Sequence, residues 1–121
     1  MRNPINSCIL EGSLVRDAVL RELSDGGSFC ELVIESKWFP LKNGEPAPEA
    51  EPEISFFTVE TRDALAVAVS ERGKKGRGLR AVGRLKEYRS SDVHGNTLSR
   101  TALAAEHVEF RPEAYKEDGG G

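Results

Sequence analysis

The chain has 121 residues, 38% of them hydrophobic, 31% charged and only 7% aromatic, with a net charge of −3. That length holds one domain with a modest core and excludes two, while recurring short runs of Leu, Val, Ile, Phe and Ala exclude a disordered chain. No stretch approaches the ~20 apolar residues of a membrane span, and the start Met1-Arg2-Asn3-Pro4-Ile5-Asn6-Ser7 has no apolar block of signal-peptide length, which reads as a protein of the cytosol.

Ser7 to Leu14 reads as a strand with Gly12 inside it. An interior glycine marks a bend where a sheet curls. Arg16 to Leu23 continues or links this strand, and Ser24-Asp25-Gly26-Gly27-Ser28 is a turn signal. Phe29 to Lys37 then alternates, with Cys30, Leu32 and Ile34 on one face and Phe29, Glu31, Val33 and Glu35 on the other. This is a half-buried strand that forms a hairpin with the preceding segment. Lys42 to Glu53 is acidic and proline-rich, with no large apolar residue to bury, which predicts a long mobile loop. The next strand is Ile54 to Thr61. Phe57 and Val59 share its core face, and Phe56, Thr58, Glu60 and Arg62 share the other.

Asp63 is placed to cap a short helix over Ala64 to Glu71, with Leu65, Ala68 and Val69 at helical spacing and Gly73 ending it. Leu79 to Tyr88 alternates again, with Leu79, Ala81, Gly83 and Leu85 opposed to Arg80, Val82, Arg84, Lys86 and Tyr88. His94-Gly95-Asn96 makes a hairpin turn into a last strand from about Leu98 to Phe110. Three strands, a short helix and two strands predict an all-β fold, a five-stranded OB-fold (oligonucleotide/oligosaccharide-binding) barrel with one short helix between strands 3 and 4. It spans residues 1–112, and 113–121 reads as a flexible tail. Gly12 and Gly83 lie at interior strand positions suited to the bends of a small barrel.

The average charge hides an asymmetry. From Arg62 to Arg100 there are ten basic residues against four acidic ones, so this stretch carries +6 in a chain that totals −3. A binding face feels charge within about 8 Å at physiological salt, so the local excess matters more than the total. The outward row of the fourth strand combines Arg80, Arg84 and Lys86 with Tyr88, and that of the third holds Phe56 and Arg62; Trp38 and Phe39 stand where the second strand leaves for the loop. Lys74 and Lys75 add charge to the turn after the helix. Cations neutralise phosphates and flat rings stack on bare bases, so this mixture suits a single polynucleotide strand. The blander origin of such a row is a solvated basic surface.

Cys8 and Cys30 are too few for a disulfide framework, and both lie among apolar residues as free thiols. His94 and His107 have no close Cys or His partner, so no metal or other cofactor is expected. Neither a Ser/His/Asp nor a Cys/His spacing stands out, and the nearest carboxylates, Glu60 and Asp63, are explained by solvation and capping, so the reading is not an enzyme.

These pieces resemble the bacterial single-stranded DNA-binding proteins. The resemblance is carried in order by Asn6 to Leu14, by Asp17-Ala18-Val19-Leu20-Arg21, by Gly26-Gly27, by Phe56-Phe57-Thr58-Val59 with Ala64-Leu65-Ala66, by Lys75-Gly76 leading into Leu79 to Leu85, and by Gly95-Asn96 with Ala105 to Phe110. It implies a non-enzymatic, cytoplasmic, nucleoid-associated homotetramer that coats single-stranded DNA in replication, recombination and repair. It maps DNA-stacking positions onto Trp38, Phe39 and Phe56. The next third-strand aromatic falls on Arg62, and the usual fourth-strand aromatic on Ser90, for which Tyr88 substitutes from the same face. Family members continue into a glycine-rich linker with an acidic tip that recruits replication and repair proteins. Here Lys116 to Gly121 reads as the start of such a linker, cut short. The alternative is an OB-fold protein–protein or primosome-type module with weak DNA or RNA affinity.

Overall fold

The computed structural model describes residues 2–47 and 49–113, so most of the predicted tail lies outside the described residues. In chain order the elements are β1 (Cys8–Leu14), β2 (Leu20–Glu22), β3 (Ser28–Trp38), β4 (Leu41–Lys42), β5 (Glu45–Pro46), β6 (Glu53–Arg62), α1 (Asp63–Arg72), β7 (Gly78–Ser91) and β8 (Thr97–Phe110). The strand order β1-β7-β8-β6-β3 closes on itself because β1 also pairs with β3. This is the expected five-stranded OB-type barrel. The helix follows the sixth strand of the chain, and it still stands between the third and fourth of the five long ones.

Alternation builds the core. Leu14, Cys30, Leu32, Ile34, Val59, Leu79, Ala81 and Leu103 point inward from five strands, and Ala66 and Val69 of α1 complete the cluster. Helical Ala68 is exposed, and half-buried Leu65 packs in the stripe instead. Asp63 is not the cap: it is the first helical residue, with φ of 56°, and the N-cap position is Arg62, which offers no side-chain cap. The chain swings from strand to helix in one step, and Asp is among the few residues that tolerate the left-handed backbone this needs.

Two close approaches explain the strand glycines. A Cβ on Gly12 would lie 2.5 Å from the Glu35 carbonyl oxygen, where β1 passes from β7 to β3. One on Gly83 would lie 2.0 Å from the Ala104 carbonyl oxygen, beside the register shift in the β7–β8 ladder.

The segment after Phe39 departs from a plain loop. Asn43-Gly44, both with positive φ, turn β4 back on β5 as a small hairpin. Phe57 also departs from expectation: it shares the inward row of Val59 yet is 38% exposed. Its strand meets β8 only at Val59 and Glu60, so the first half of β6 runs beside β3 alone as a two-stranded arm beyond the barrel. Leu85, 46% exposed, is the counterpart on β7, past the end of the β1 ladder at Cys8–Gly83. Both backbone groups of Leu85 are taken up by the Asn6 side chain, at 2.8 and 2.9 Å.

Both cysteines are free; Cys30 is wholly buried and Cys8 half-buried. Burial pushes the Cys30 thiol above its ordinary pKa. A thiol reagent is therefore expected to modify Cys8 in the native protein and Cys30 only in denaturant, read by intact mass. Equal labelling of both in the folded state would contradict this core.

Candidate nucleic-acid interface

The outward rows of β6 and β7 are separated by β8, which places small residues between them. Ala102 pairs with Lys86, and Ala104 pairs with both Arg84 and Glu60. Long side chains from β6 and β7 therefore meet over β8. The Tyr88 hydroxyl donates a hydrogen bond to Oε1 of Glu60, and Arg100 of β8 brings its guanidinium to 3.5 Å from Oε2. Arg100 also lies over the Tyr88 ring at 4.3 Å, and the Lys86 ammonium is 4.7 Å from the ring centre. Glu60 is only 4% exposed although it belongs to the outward row. A carboxylate held this far from water needs charged or hydrogen-bonding partners, and Tyr88 and Arg100 supply them.

Next to this cluster, Phe29 is buried on the outer face of β3 beneath two guanidinium groups, those of Arg21 at 5.3 Å and Arg62 at 5.2 Å. Two hollows flank Glu60. One, of about 390 Å³, is lined by Arg62, Leu65, Arg84, Lys86, Ala104 and Glu106 among others; the second, of about 270 Å³, by Arg21, Leu23, Phe29, Arg62, Tyr88 and Arg100 among others. Five cations thus surround one buried acid. Among the described residues, no carboxylate is in ion-pair range of Arg62, Arg84 or Lys86, which leaves their charge available to a ligand. An electropositive, partly apolar surface with flat groups can hold an anionic chain whose bases are unpaired.

The other sequence-predicted residues stand elsewhere. Phe56, 62% exposed, shares the outward row of Arg62 but lies about 20 Å along the strand. It lines a shallow hollow with Val15, Glu35, Lys75 and Gly76. The amide of Lys75 is bound by Asp17 at 2.8 Å, with the side chain exposed, as is that of Lys74. Trp38 and Phe39 are exposed at the end of the β3–β6 arm. By alternation Trp38 belongs to the face of Phe57, opposite Phe56. It lines a broad hollow of about 870 Å³, with Ile9, Glu11, Arg80 and Arg111 on the β1 side. Arg80 is engaged there, 2.8 Å from Glu11. Its hydrogen bond and charge, with Arg111 in support, hold the Glu11 carboxyl below the usual carboxylate range. The structure therefore brings Arg62, Arg84, Lys86 and Tyr88 together, and leaves Trp38, Phe39, Phe56, Lys74, Lys75 and Arg80 outside that group.

A model of the single-strand binding protein family matches residues 5–111. The chain belongs to the single-strand binding protein family. No curated protein sequence matches it. Single-stranded DNA binding is the general activity that membership brings, and the family is non-enzymatic.

In this single-strand binding protein the candidate site contains four residues that the sequence pattern did not assign to it: Arg21, Phe29, Glu60 and Arg100. Two of the pairings were countable. From the His94-Gly95-Asn96 turn, Tyr88 falls opposite Arg100, and from the Asp25-Gly26 turn, Arg21 falls opposite Phe29. Glu60 carried no such signal, because the β6–β8 pairing that buries it joins strands far apart in sequence.

Proposed function

We propose that this protein binds single-stranded DNA without strong sequence preference and protects it during replication, recombination and repair. The observation that supports this is the convergence of Arg62, Arg84 and Lys86, all without acid partners among the described residues, beside the Tyr88 and Phe29 rings on one outer face. Cations there neutralise phosphates, while Phe56, Trp38 and Phe39 offer exposed rings farther out for sequence-tolerant stacking. The protein works as a cytoplasmic, nucleoid-associated homotetramer. Exposed Ile9 on β1, beside the broad hollow reaching Trp38, offers an apolar surface for a second copy.

The test is titration with oligo-dT at several salt concentrations. Each neutralised phosphate of a single strand contributes about −0.7 to the slope of log K against log salt, so three free cations give a slope of about −2 or steeper. No binding at low salt, or binding indifferent to salt, overturns the proposal. Trp38 fluorescence is expected to fall as DNA saturates the protein, and an unchanged spectrum removes Trp38 from the interface. Mass measurement with and without the oligonucleotide reads the assembly.

A second reading applies to the β3–β6 arm. Trp38, Phe39, Leu41 and Ile54 are exposed beside a segment bearing Glu45, Glu49, Glu51 and Glu53. Acids repel phosphate, so on this second reading the arm docks a protein partner, and a tight protein complex with DNA affinity weak at physiological salt favours a protein-docking module.

A further inference from the structure

We infer that Arg100 is a base-stacking plate and not a phosphate ligand, and that Glu60 is the positioning residue that makes it so. The inference rests on the DNA-binding reading of this face. The geometry separates Arg100 from the other cations around it. Its guanidinium lies 4.3 Å above the Tyr88 ring and 3.5 Å from the Glu60 carboxylate, and the Tyr88 hydroxyl is bonded to the same carboxylate. The three groups form a closed triangle in which Glu60 is shared.

The charge of Arg100 is spent inside that triangle. Glu60 is almost wholly buried, so a phosphate that drew Arg100 away would leave a carboxylate without its counter-cation in a site nearly free of water. Breaking such a pair is strongly unfavourable, whereas a phosphate contact at an exposed surface returns little. A cation already neutralised in place displaces no counterion from DNA. Arg62 and Arg84 face no such competition among the described residues.

What remains free on Arg100 is its surface. The side chain is 56% exposed while its inner plane rests on Tyr88. A guanidinium is flat, delocalised and weakly hydrated, and it stacks on π systems from either side. Tyr88, half-buried and with two cations against its ring, has little open ring to give a base directly. The Tyr88–Arg100 stack extends the platform outward, and Glu60 locks the angle at which it is presented. A base laid on it meets a plate held by an ion pair and a hydrogen bond, which lowers the ordering cost of binding.

The experiment measures the salt dependence of binding for two probes of equal length: oligo-dT and an abasic deoxyribose-phosphate chain. The proteins are wild type, Arg84→Gln, Arg100→Gln, Glu60→Gln and the Glu60→Gln/Arg100→Gln double variant. Arg84→Gln supplies the reference for a phosphate ligand, a slope shallower by about 0.7. Arg100→Gln is expected to keep the wild-type slope, to weaken oligo-dT binding about ten-fold at every salt concentration, and to leave the abasic chain unaffected. Glu60→Gln keeps an acceptor for Tyr88 but removes the charge, so Arg100 is released to phosphate and the slope steepens by about 0.7; the double variant returns it to wild type. A shallower slope in Arg100→Gln, equal losses on both probes, or a Glu60→Gln effect that persists without Arg100 overturns the inference. Arg100→Gln leaves the buried Glu60 without its counter-cation, so thermal unfolding of each variant is read alongside; Arg100→Lys keeps that charge but removes the flat plane, and it decides the question with the same expected loss on oligo-dT, none on the abasic chain and an unchanged slope. Failure of wild type to bind oligo-dT at low salt overturns the DNA-binding reading itself, and this inference with it.

Discussion

Gly83→Ala is expected to destabilise the protein by about 3 kcal/mol, near the upper end for overpacking, and to lower its melting temperature by roughly 10 °C or more. The added methyl would stand 2.0 Å from the Ala104 carbonyl oxygen and 2.8 Å from both the carbonyl carbon and the Ala105 Cα. All three are backbone atoms, so no side chain can swing aside. The strain can be relieved only by parting β7 from β8, the pair that carries the longest ladder of the barrel. That ladder has little freedom here, because Glu106 is the extra residue of the register shift between Val82–His107 and Gly83–Ala105. Gly83 also stands next to Arg84, so parting the strands would move a cation of the proposed DNA face. Denaturant and thermal unfolding read the loss. A melting temperature within a degree or two of wild type would show that the bulge opens easily and that the close approach does not hold the barrel together.

The fold was largely legible because its signals are local. Alternation along Leu79 to Tyr88 separates Arg84, Lys86 and Tyr88 from Leu79 and Ala81, and that division holds in the barrel. Glycine and asparagine mark the turns that set the hairpins, and the same turns fix which residues face each other across them. The Asn43-Gly44 pair carried this signal too, inside a stretch whose prolines and acids read as a plain loop. What was not legible depends on where one strand stops running beside another. Phe57 and Leu85 have inward parity, but each has a paired strand on one side only, so alternation assigns the face and misjudges the burial. Glu60 is the opposite case. Its parity is outward and its charge suggests a solvated position, yet Ala102 and Ala104 are small enough to let Tyr88 and Arg100 close over it. A residue type that reads as surface is buried because its neighbours across the sheet, distant in sequence, complement it.

Replacing Arg62, Arg84 and Lys86 together by glutamine is expected to make the salt dependence shallower by about 2 and to weaken oligo-dT binding about a hundred-fold at 0.1 M salt. The two numbers are one argument. The electrostatic part of the affinity vanishes near 1 M salt, where the lines for wild type and variant converge, so a slope difference of about 2 over one decade of salt is a difference of about 2 in log K. Below 0.1 M the gap widens further. The fold should tolerate the change, since Arg62 and Arg84 are exposed, Lys86 is half-buried, and no ion pair is lost among the described residues. Arg80→Gln is the control with the opposite expectation. Its charge is already engaged by Glu11 on the β1 side, so the slope should barely move. If the triple variant kept the wild-type slope while Arg80→Gln lost it, DNA would run along the β1 hollow instead, and the row on β6 and β7 would be no more than a solvated basic surface.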